Sequence, residues 1–197
     1  MSPVVLASSS PRRRELLQQV GIPFTVDTSY VDETMPEGTA PEDYVKELSK
    51  RKAEAVSPRH PDSIVIGADT IVALEDKILG KPKDQTAAYE MLCMLSGKVH
   101  SVYTGVTIIY PPRKGPRHTD TFSVRTDVKM YDSDRRILRD YAECGEPLDK
   151  AGAYGIQGRG AVLIERINGD YSNVKGLPVS EVFKRLYPFI SPALLSN

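Results

Sequence analysis

The stretch IVIGADTIVAL, residues 64–74, decides the fold of this chain. It is an almost unbroken apolar run, and its β-branched residues favour a buried strand over a helix. One carboxylate, Asp69, interrupts the run, and a buried carboxylate is costly unless it is paired, hydrogen-bonded or bound to a metal. We therefore predict a central strand that carries a functional carboxylate. The alternative is an ordinary strand-end Asp that feeds a turn or a cap.

The segments on either side of this run predict further helices and strands. Residues 75–77 (EDK) indicate a turn into a return strand at Ile78 and Leu79, which would make a hairpin. The other predicted elements are a strand over 4–6, a helix from Pro11 with Ser10 as N-cap, a helix over Pro41–Val56 opened by a capping box of Thr39 and Glu42, a helix over 85–95, antiparallel strands over 102–110 and 122–130 joined by a Pro-rich loop at 111–118, a helix capped by Ser133 or Asp134, a hairpin from AVLIERI (161–167) through an NGD turn, and a final helix from Val179.

Strands and helices alternate along the chain, but several connections are hairpins and not helical crossovers. This pattern predicts an α/β fold whose sheet is mixed and twisted, with helices on its faces. We find no repeat, low-complexity tract or linker in the 197 residues. We therefore expect residues 1–197 to form a single domain, in which a second lobe would arise by insertion.

The composition excludes several classes of protein. Lys plus Arg and Asp plus Glu both number 26, so no overall field attracts the chain to nucleic acid or to a membrane, and we expect neither partner. No run approaches the roughly 18 apolar residues of a membrane span, and the N-terminus does not read as a secretory signal, so we expect a cytoplasmic protein. The chain has two cysteines without a CxxC pair and only three histidines, so we do not expect a zinc site with Cys or His ligands.

The stretch LASSSPRRRELL, residues 6–17, places three arginines at the start of the first helix. Exposed cations there oppose the helix dipole at about 0.3–1 kcal/mol each, whereas the unpaired N–H groups of the same helix end attract an anion. The serines at 8–10 add hydroxyl donors, so this junction can form a phosphate cradle. Arg12 and Arg13 are the candidate ligands, since successive helical positions diverge by about 100°. A solvated basic face is the alternative.

Other polar residues are weaker candidates by themselves. Lys52 follows Leu48 by four positions, so its ammonium lies on or beside the apolar stripe of the second helix, where snorkelling to solvent is the alternative. Glu33 in VDETMPEG and Lys81 in LGKPKD supply further charges, which a solvated surface would also explain. Gln157, in the Gly-rich GAYGIQGRGA, can act as an amide reader of a ligand or sit in a tight turn.

Several phosphate and hydrolase signatures are missing from the sequence. It contains no GxxxxGK[ST], no GxGxxG after the first strand and no GxSxG, which argues against a P-loop NTPase, a dinucleotide-binding unit and an α/β-hydrolase elbow. What remains is a set of cations and a few carboxylates. Such a set fits polyphosphate chemistry, in which cations neutralise phosphate oxygens and carboxylates hold a divalent metal and direct water.

Seven motifs in consecutive order resemble the Maf family of nucleotide pyrophosphatases. They are LASSSPRRRELL (6–17), VDE (31–33), KA (52–53), IGADTIV (66–72), LGKP (79–82), LSGKVHSVYTGV (95–106) and DKAGAYGIQGRGA (149–161). The resemblance implies hydrolysis of nucleoside triphosphates to a monophosphate and pyrophosphate with Mg or Mn. It also implies a fold related to the inosine-triphosphate pyrophosphatases, with two lobes around a cleft, and a homodimer.

The resemblance also assigns roles to individual residues. Asp69 matches the general base, and with Glu33 it would hold the metal. Other matched positions are Ser8, Arg13, Glu33, Lys52 and Lys81 in the polar lining of the site, and Arg12, Thr70 and Gln157 where the substrate is selected. Arg, Thr and Gln at those three positions resemble the branch that acts on dTTP and UTP, whereas the branch acting on 7-methyl-GTP lacks GIQGRG.

Two alternatives to this activity stay open at the level of the sequence. The family is also named for inhibition of septum formation, so a nucleotide-binding regulator with little turnover is one alternative. Asp69 argues against it, because binding phosphate needs cations and no carboxylate. The second is a pyrophosphatase for another substrate, such as 7-methyl-GTP or a damaged or modified nucleotide, and Gln157 argues against the 7-methyl-GTP reading.

Overall fold

A computed structural model describes residues 2–75, 77–112 and 117–190. Its strands and helices in chain order are β1 (Val4–Leu6), α1 (Pro11–Gln19), β2 (Thr25–Val26), α2 (Pro41–Val56), β3 (Ile64–Leu74), β4 (Lys77–Leu79), α3 (Gln85–Leu95), β5 (Val99–Tyr110), β6 (His118–Met130), α4 (Arg135–Glu143), β7 (Ile164–Asn168), α5 (Tyr171–Lys175) and α6 (Val179–Leu186). Short 3₁₀ turns at Ser57–Arg59, Glu146–Asp149, Ala151–Ala153 and Gly158–Leu163 complete the described chain.

The strands form a mixed sheet in the order β2-β1-β3-β5-β6-β7, with β4 paired to β3. Strand β1 runs parallel to both β2 and β3, and Val4–Leu6 lies opposite Ile64–Ile66. Strand β4 is antiparallel to β3, and β7 is antiparallel to β6. The mixed α/β fold is thus confirmed, as is the predicted hairpin after β3, although Asp76 of its turn lies outside the described residues.

The chain divides into two compact units. The first comprises the described residues of 1–69, 104–124 and 176–197, and the second those of 70–103 and 125–175. In the first unit, alternate strand residues face opposite sides, as the period of two requires. Leu6 and Ile66 join a core with residues of α1 and α6, whereas Val5 and Val65 join Ala53 and Val56 of α2. Helices therefore cover both faces of the strands in this unit.

The second unit has its own core. Leu92 and Leu95 of α3 and Leu138 of α4 pack with Val128 and Met130 of β6. Tyr141 and Tyr154 join the same cluster with their hydroxyls hydrogen-bonded, which is how buried tyrosines are usually accommodated. This core fixes the base of the Gly-rich segment that follows α4.

Most of the predicted elements are confirmed. Helices α2 and α3 have the predicted bounds, and Asp134 accepts from Arg136 N at 2.7 Å at the start of α4. Part of the predicted 111–118 loop, residues 113–116, lies outside the described residues. No helix in the described ranges has the length and apolarity that a bilayer span requires.

Two local predictions are wrong. The capping box does not form, because the N-cap of α2 is Ala40 and the Thr39 hydroxyl donates to Pro36 O at 2.6 Å. The strand predicted from AVLIERI exists as β7, but it pairs with β6 and not with a strand after the NGD turn. Instead Asp170 Oδ1 accepts from both the N–H and the hydroxyl of Ser172 at 2.7 Å, at the start of the short helix α5.

Candidate active site

Helix α2 lies unusually close to strand β3 at Gly67. A Cβ at this position would collide with Ser49 O and would lie 2.6 Å from Ala53 N, so only a hydrogen atom fits beneath the helix backbone. Asp69 is two residues further along the strand and therefore faces the same side as Gly67. The close approach brings Lys52, one residue before Ala53, over the Asp69 carboxylate.

Lys52 forms the centre of a cluster of three charges. Its Nζ lies 2.6 Å from Asp69 Oδ1 and 2.7 Å from Glu33 Oε1. The Asp69 and Lys52 side chains are only 11% and 12% exposed, whereas Glu33 is 59% exposed. Pairing with Lys52 explains how a carboxylate is tolerated within the apolar strand. The cluster also holds two carboxylates at one point, with the outer one open to solvent.

The loop that carries Glu33 has no regular structure and is tied to α2. Arg51 Nη1 donates to Asp32 O at 3.1 Å and to Thr34 O at 3.0 Å, the two carbonyls that flank Glu33. Arg51 is itself held by Glu47, whose Oε1 accepts from Nε at 2.9 Å. The position of the Glu33 backbone therefore depends on a guanidinium one residue before Lys52.

Tyr44 provides a second, weaker tie to the same loop. Its hydroxyl lies 3.5 Å from Glu33 O. Burial raises the pKa of Tyr44 above its ordinary value, and the negative charges of Asp69 and Glu33 raise it further. Tyr44 thus belongs to the electrostatic surroundings of the two carboxylates.

The serine and arginine segment forms a second part of the site in the same unit. Arg13 Nη1 donates to Ser8 Oγ at 3.0 Å, and Arg13 Nε donates to Gly176 O at 2.8 Å. Ser8 Oγ also accepts from Ser10 N at 3.2 Å. Ser10 occupies the predicted N-cap position of α1, but its side chain makes no capping hydrogen bond. Ser8, and not Ser10, supplies the hydroxyl that organises this turn.

The charges of the two parts act on each other. Burial lowers the pKa of Arg13 below its ordinary value, Asp69 opposes that shift, Arg12 reinforces it, and Glu33 opposes it again. Coulombic coupling weakens with distance and with screening by water, so it indicates that these groups lie near one another. The first unit therefore brings together residues that the sequence selected from four separate segments: Ser8, Arg12, Arg13, Glu33, Lys52 and Asp69.

The remaining three selected residues belong to the second unit. Thr70 is half-buried and follows Asp69 directly on β3. Lys81 is exposed in the segment between β4 and α3, and Gln157 is exposed at the N-terminal end of the 3₁₀ turn Gly158–Leu163. Their roles in catalysis and substrate selection stay predictions.

The donor set of the first unit fits a magnesium-like cation. Within the described ranges, no three His, Cys, Asp or Glu side chains gather as a metal site would require. Two carboxylates, Asp69 and Glu33, converge on one cationic group. Mg²⁺ is commonly bound by one or two carboxylates together with substrate phosphates and water, so this pair matches that pattern.

These features define a class of protein before any comparison: a mixed α/β protein whose first unit holds a cationic and carboxylate cluster suited to a phosphate ligand. A solved structure of the Staphylococcus aureus Ham1 protein resembles this chain with a TM-score of 0.50 at 16% identity, over 83% of this chain and 80% of that one. The likeness supports the fold. Residues 3–189 match the Maf-like protein family, and the chain belongs to that family.

Relatives of high similarity carry a shared name. A Bacillus cereus (strain AH820) protein is 47% identical over 189 residues, 96% of each chain, and is named dTTP/UTP pyrophosphatase. A Bacillus cytotoxicus protein of the same name is 47% identical over 193 residues, 98% of each chain.

Sequence reasoning missed Arg51 and Tyr44. The helical spacing carried a signal for Tyr44, which lies two steps of four residues before Lys52 and so shares its side of α2. Arg51 carried no signal, because its partners are backbone carbonyls of an irregular loop. Only the folded path of that loop reveals them.

Proposed function

We propose that this chain hydrolyses dTTP and UTP between the α and β phosphates, releasing the monophosphate and pyrophosphate. One observation carries the proposal: the Lys52 ammonium pairs with both the Asp69 and the Glu33 carboxylate, each with an oxygen within 2.7 Å of Nζ, beside the serine and arginine turn. The 47% identity to proteins named dTTP/UTP pyrophosphatase supports the choice of substrates.

The triphosphate binds to the first unit in this proposal. Arg12 and Arg13 neutralise phosphate oxygens, and the Ser8 hydroxyl and the first N–H groups of α1 donate to them. Arg13 is already fixed by Ser8 and by Gly176 O before substrate arrives. A fixed guanidinium loses little rotamer freedom on binding, which favours tight and oriented capture of the phosphate chain.

The chemical step is the attack of water on the α-phosphorus. Asp69 accepts a hydrogen bond or a proton from this water, whose oxygen forms the new bond to phosphorus. The bond from the α-phosphorus to the bridging oxygen breaks, and its electron pair leaves with pyrophosphate. Lys52 and Lys81 offset the negative charge that develops on the leaving group. Asp69 contributes by orienting the water as much as by removing its proton.

Glu33 and Asp69 would also hold a divalent cation, Mg or Mn, together with substrate oxygens. When bound, such a cation supplies Lewis-acid polarisation of a phosphoryl oxygen and neutralises charge. Glu33 is the carboxylate of the pair that is open to solvent, so a hydrated cation would approach the pair at Glu33. Lys52 balances the two carboxylates while no cation or substrate is present.

Base selection falls to Gln157, Thr70 and Arg12. The Gln157 amide offers two donors and an acceptor, which suit the edge of a uracil or thymine ring. Gln157 is exposed to solvent. We further propose that residues 1–197 work as one catalytic domain, that the enzyme acts in the cytoplasm, and that it forms a homodimer, as the family resemblance implies.

The first experiment measures release of pyrophosphate and monophosphate from dTTP, UTP, CTP, GTP and 7-methyl-GTP, each with Mg, with Mn and with a chelator. We expect metal-dependent release from dTTP and UTP. Preferred turnover of 7-methyl-GTP would reject the pyrimidine assignment. Tight binding of one nucleotide with every triphosphate intact would reject the enzyme and favour a regulatory receptor.

A further inference from the structure

The Gly-rich segment after α4 is closed on itself by two side chains. Tyr141 at the end of α4 and Glu146 in the following turn form a hydrogen-bonded pair, in which the phenol donates to Glu146 Oε1 at 3.0 Å. Tyr141 is 6% exposed and belongs to the core of the second unit. The pair is therefore anchored in packed structure on one side and faces the segment on the other.

Both ends of the segment that contains Gln157 are bonded to this pair. On the N-terminal side, Gly155 N donates to Tyr141 Oη at 3.2 Å. On the C-terminal side, Arg159 N and Gly160 N donate to the two oxygens of Glu146 at 3.0 and 3.3 Å. Hydrogen bonds from amides to a carboxylate are stronger than those between neutral groups. Three backbone amides thus converge on one Tyr–Glu pair.

Close packing at Gly160 shows how tight this closure is. A Cβ at Gly160 would collide with Gly155 O and would lie 2.5 Å from Tyr141 Oη. Residues 155 and 160, the two ends of the loop, therefore lie close to each other, and both lie against the Tyr141 hydroxyl. Gln157 is exposed between these two fixed ends.

The electrostatics agree with a permanently charged Glu146. Burial acts to raise the pKa of Glu146, but the hydrogen bonds from Arg159 N, Gly160 N and Tyr141 outweigh it and hold the pKa below its ordinary value. Burial raises the pKa of Tyr141, so the phenol stays protonated and keeps donating. The closure is thus present throughout the neutral range of pH.

We infer that Tyr141 and Glu146 are positioning residues for the loop 155–160 and, through Gln157, for the choice of base. The second half of this inference rests on the proposed function, because it takes Gln157 to contact the base. Neither residue touches the substrate. Their role is to fix the backbone from which Gln157 projects, so that its amide meets a uracil or thymine edge without first ordering the loop.

The test compares wild type with Glu146→Ala, Glu146→Gln and Tyr141→Phe, and with Glu143→Ala as the matched control. Glu143 is an exposed carboxylate near the end of α4, close in sequence to Glu146. The first readout is hydrogen exchange of residues 155–160. We expect exchange to be at least about tenfold faster in Glu146→Ala, less so in Glu146→Gln, and unchanged in Glu143→Ala. Unchanged exchange in Glu146→Ala would overturn the positioning role whatever the activity.

The second readout is selectivity, taken as the ratio of kcat/KM for dTTP to that for CTP. We expect Glu146→Ala to lower this ratio about tenfold, mainly through a higher KM for dTTP, while Glu146→Gln retains part of it. In a Gln157→Ala background, Glu146→Ala should change the ratio no further. A faster-exchanging loop with an unaltered ratio, or a further fall in the double variant, would overturn the route through Gln157.

Failure of the proposed function can be told apart from failure of this inference. If the wild-type protein hydrolyses neither nucleotide, the same ratio is taken from the dissociation constants of dTTP and CTP, and the exchange experiment is unaffected. If wild type binds both equally, the selectivity role of Gln157 is wrong, whereas faster exchange in Glu146→Ala still supports the positioning of the loop.

Discussion

The cluster around Lys52 and the loop around Gln157 are held in opposite ways. Asp69 and Glu33 each form an ion pair with Lys52, and each of the three is itself a proposed functional group. The loop of Gln157 is held through backbone amides by Glu146, which does not approach the ligand in our proposal. We therefore expect the cluster to rearrange when an anion or a cation enters, and the loop to keep its shape.

Rigidity serves the loop of Gln157 better than it serves the charged cluster. Catalysis of phosphoryl transfer requires charges that respond to the incoming phosphates, while discrimination between similar bases requires an amide that does not move to suit the wrong one. Substitutions in the cluster should therefore change turnover, and substitutions around the loop should change selectivity.

The largest effect is expected from Asp69→Asn, which keeps the shape of the cluster and removes its buried negative charge. Turnover should fall by at least about a thousandfold, because both the orientation of water and the hold on a cation depend on the carboxylate. Pyrophosphate release and circular dichroism measure activity and fold together. The exposed Asp62 offers the control Asp62→Asn, and undiminished turnover by a well-folded Asp69→Asn protein would remove Asp69 from the mechanism.

A pH effect on stability should come from the second unit, where a buried histidine has no carboxylate hydrogen-bonded to it among the described residues. His100 is 2% exposed, and its Nε2 lies 2.7 Å from the Tyr154 hydroxyl. Burial lowers the pKa of His100 to about 4 from its ordinary 6.5, against a small opposing effect of Asp127. Between pH 6.5 and 4, the His100 imidazole is therefore protonated in the unfolded chain but stays neutral in the folded chain.

Stability contributed by neutral His100 is thus complete above pH 6.5 and is lost as the pH falls toward 4. The loss should be on the order of 3 kcal/mol over this window, measurable by urea unfolding at several pH values. His100→Gln keeps a neutral partner for Tyr154 and should flatten the slope between pH 6.5 and 4. An equally steep slope in the variant would show that other groups cause it.

Gly67→Ala should damage the cluster without altering any charged residue. The added methyl group meets the backbone of α2 at Ser49 and Ala53, so the helix must shift and Lys52 must move with it. We expect a loss of about 2 kcal/mol in the free energy of unfolding together with reduced turnover. Gly80→Ala is the matched control, since nothing lies within 4 Å of a Cβ there. Equal stability of the two variants would contradict the close approach.

The smallest effect is expected from Arg51→Met, which releases the carbonyls of Asp32 and Thr34. The loop of Glu33 then loses its main tie to α2, so kcat/KM should fall about tenfold and more metal should be needed for half-maximal activity. Lys50→Met is the control, because Lys50 pairs only loosely with Glu54 at 3.9 Å. In a Glu33→Gln background, Arg51→Met should lower kcat/KM no further. A further tenfold fall in kcat/KM there would show that Arg51 acts through another part of the molecule.

Two kinds of signal made parts of this molecule predictable from the sequence. One is the periodicity of apolar residues, and the other is a charged residue type whose burial in apolar surroundings costs free energy unless it has a partner. Helices α2 and α3 follow from apolar stripes, and β3 follows from its continuous β-branched run. Asp69 was identifiable because a carboxylate in that run needs a partner, and Lys52 because an ammonium lies beside an apolar stripe. In each case a residue type conflicted with its predicted surroundings.

The failures share a different cause. The Thr39 hydroxyl donates to Pro36 O in the folded loop and does not cap α2. Arg51, Tyr141 and Glu146 bond to the backbone of irregular segments. No periodic pattern specifies where such a segment runs, so these contacts could not be predicted from residue types and spacing.

The bond from Arg13 to the carbonyl of Gly176 joins residues 163 positions apart in the chain. During synthesis on the ribosome, β1, α1 and β3 can associate long before residue 176 has left the exit tunnel. The nascent protein would then hold a nearly complete set of charges with one arginine not yet fixed. The serine and arginine turn should therefore reach its final geometry only once the segment that carries Gly176 has been made.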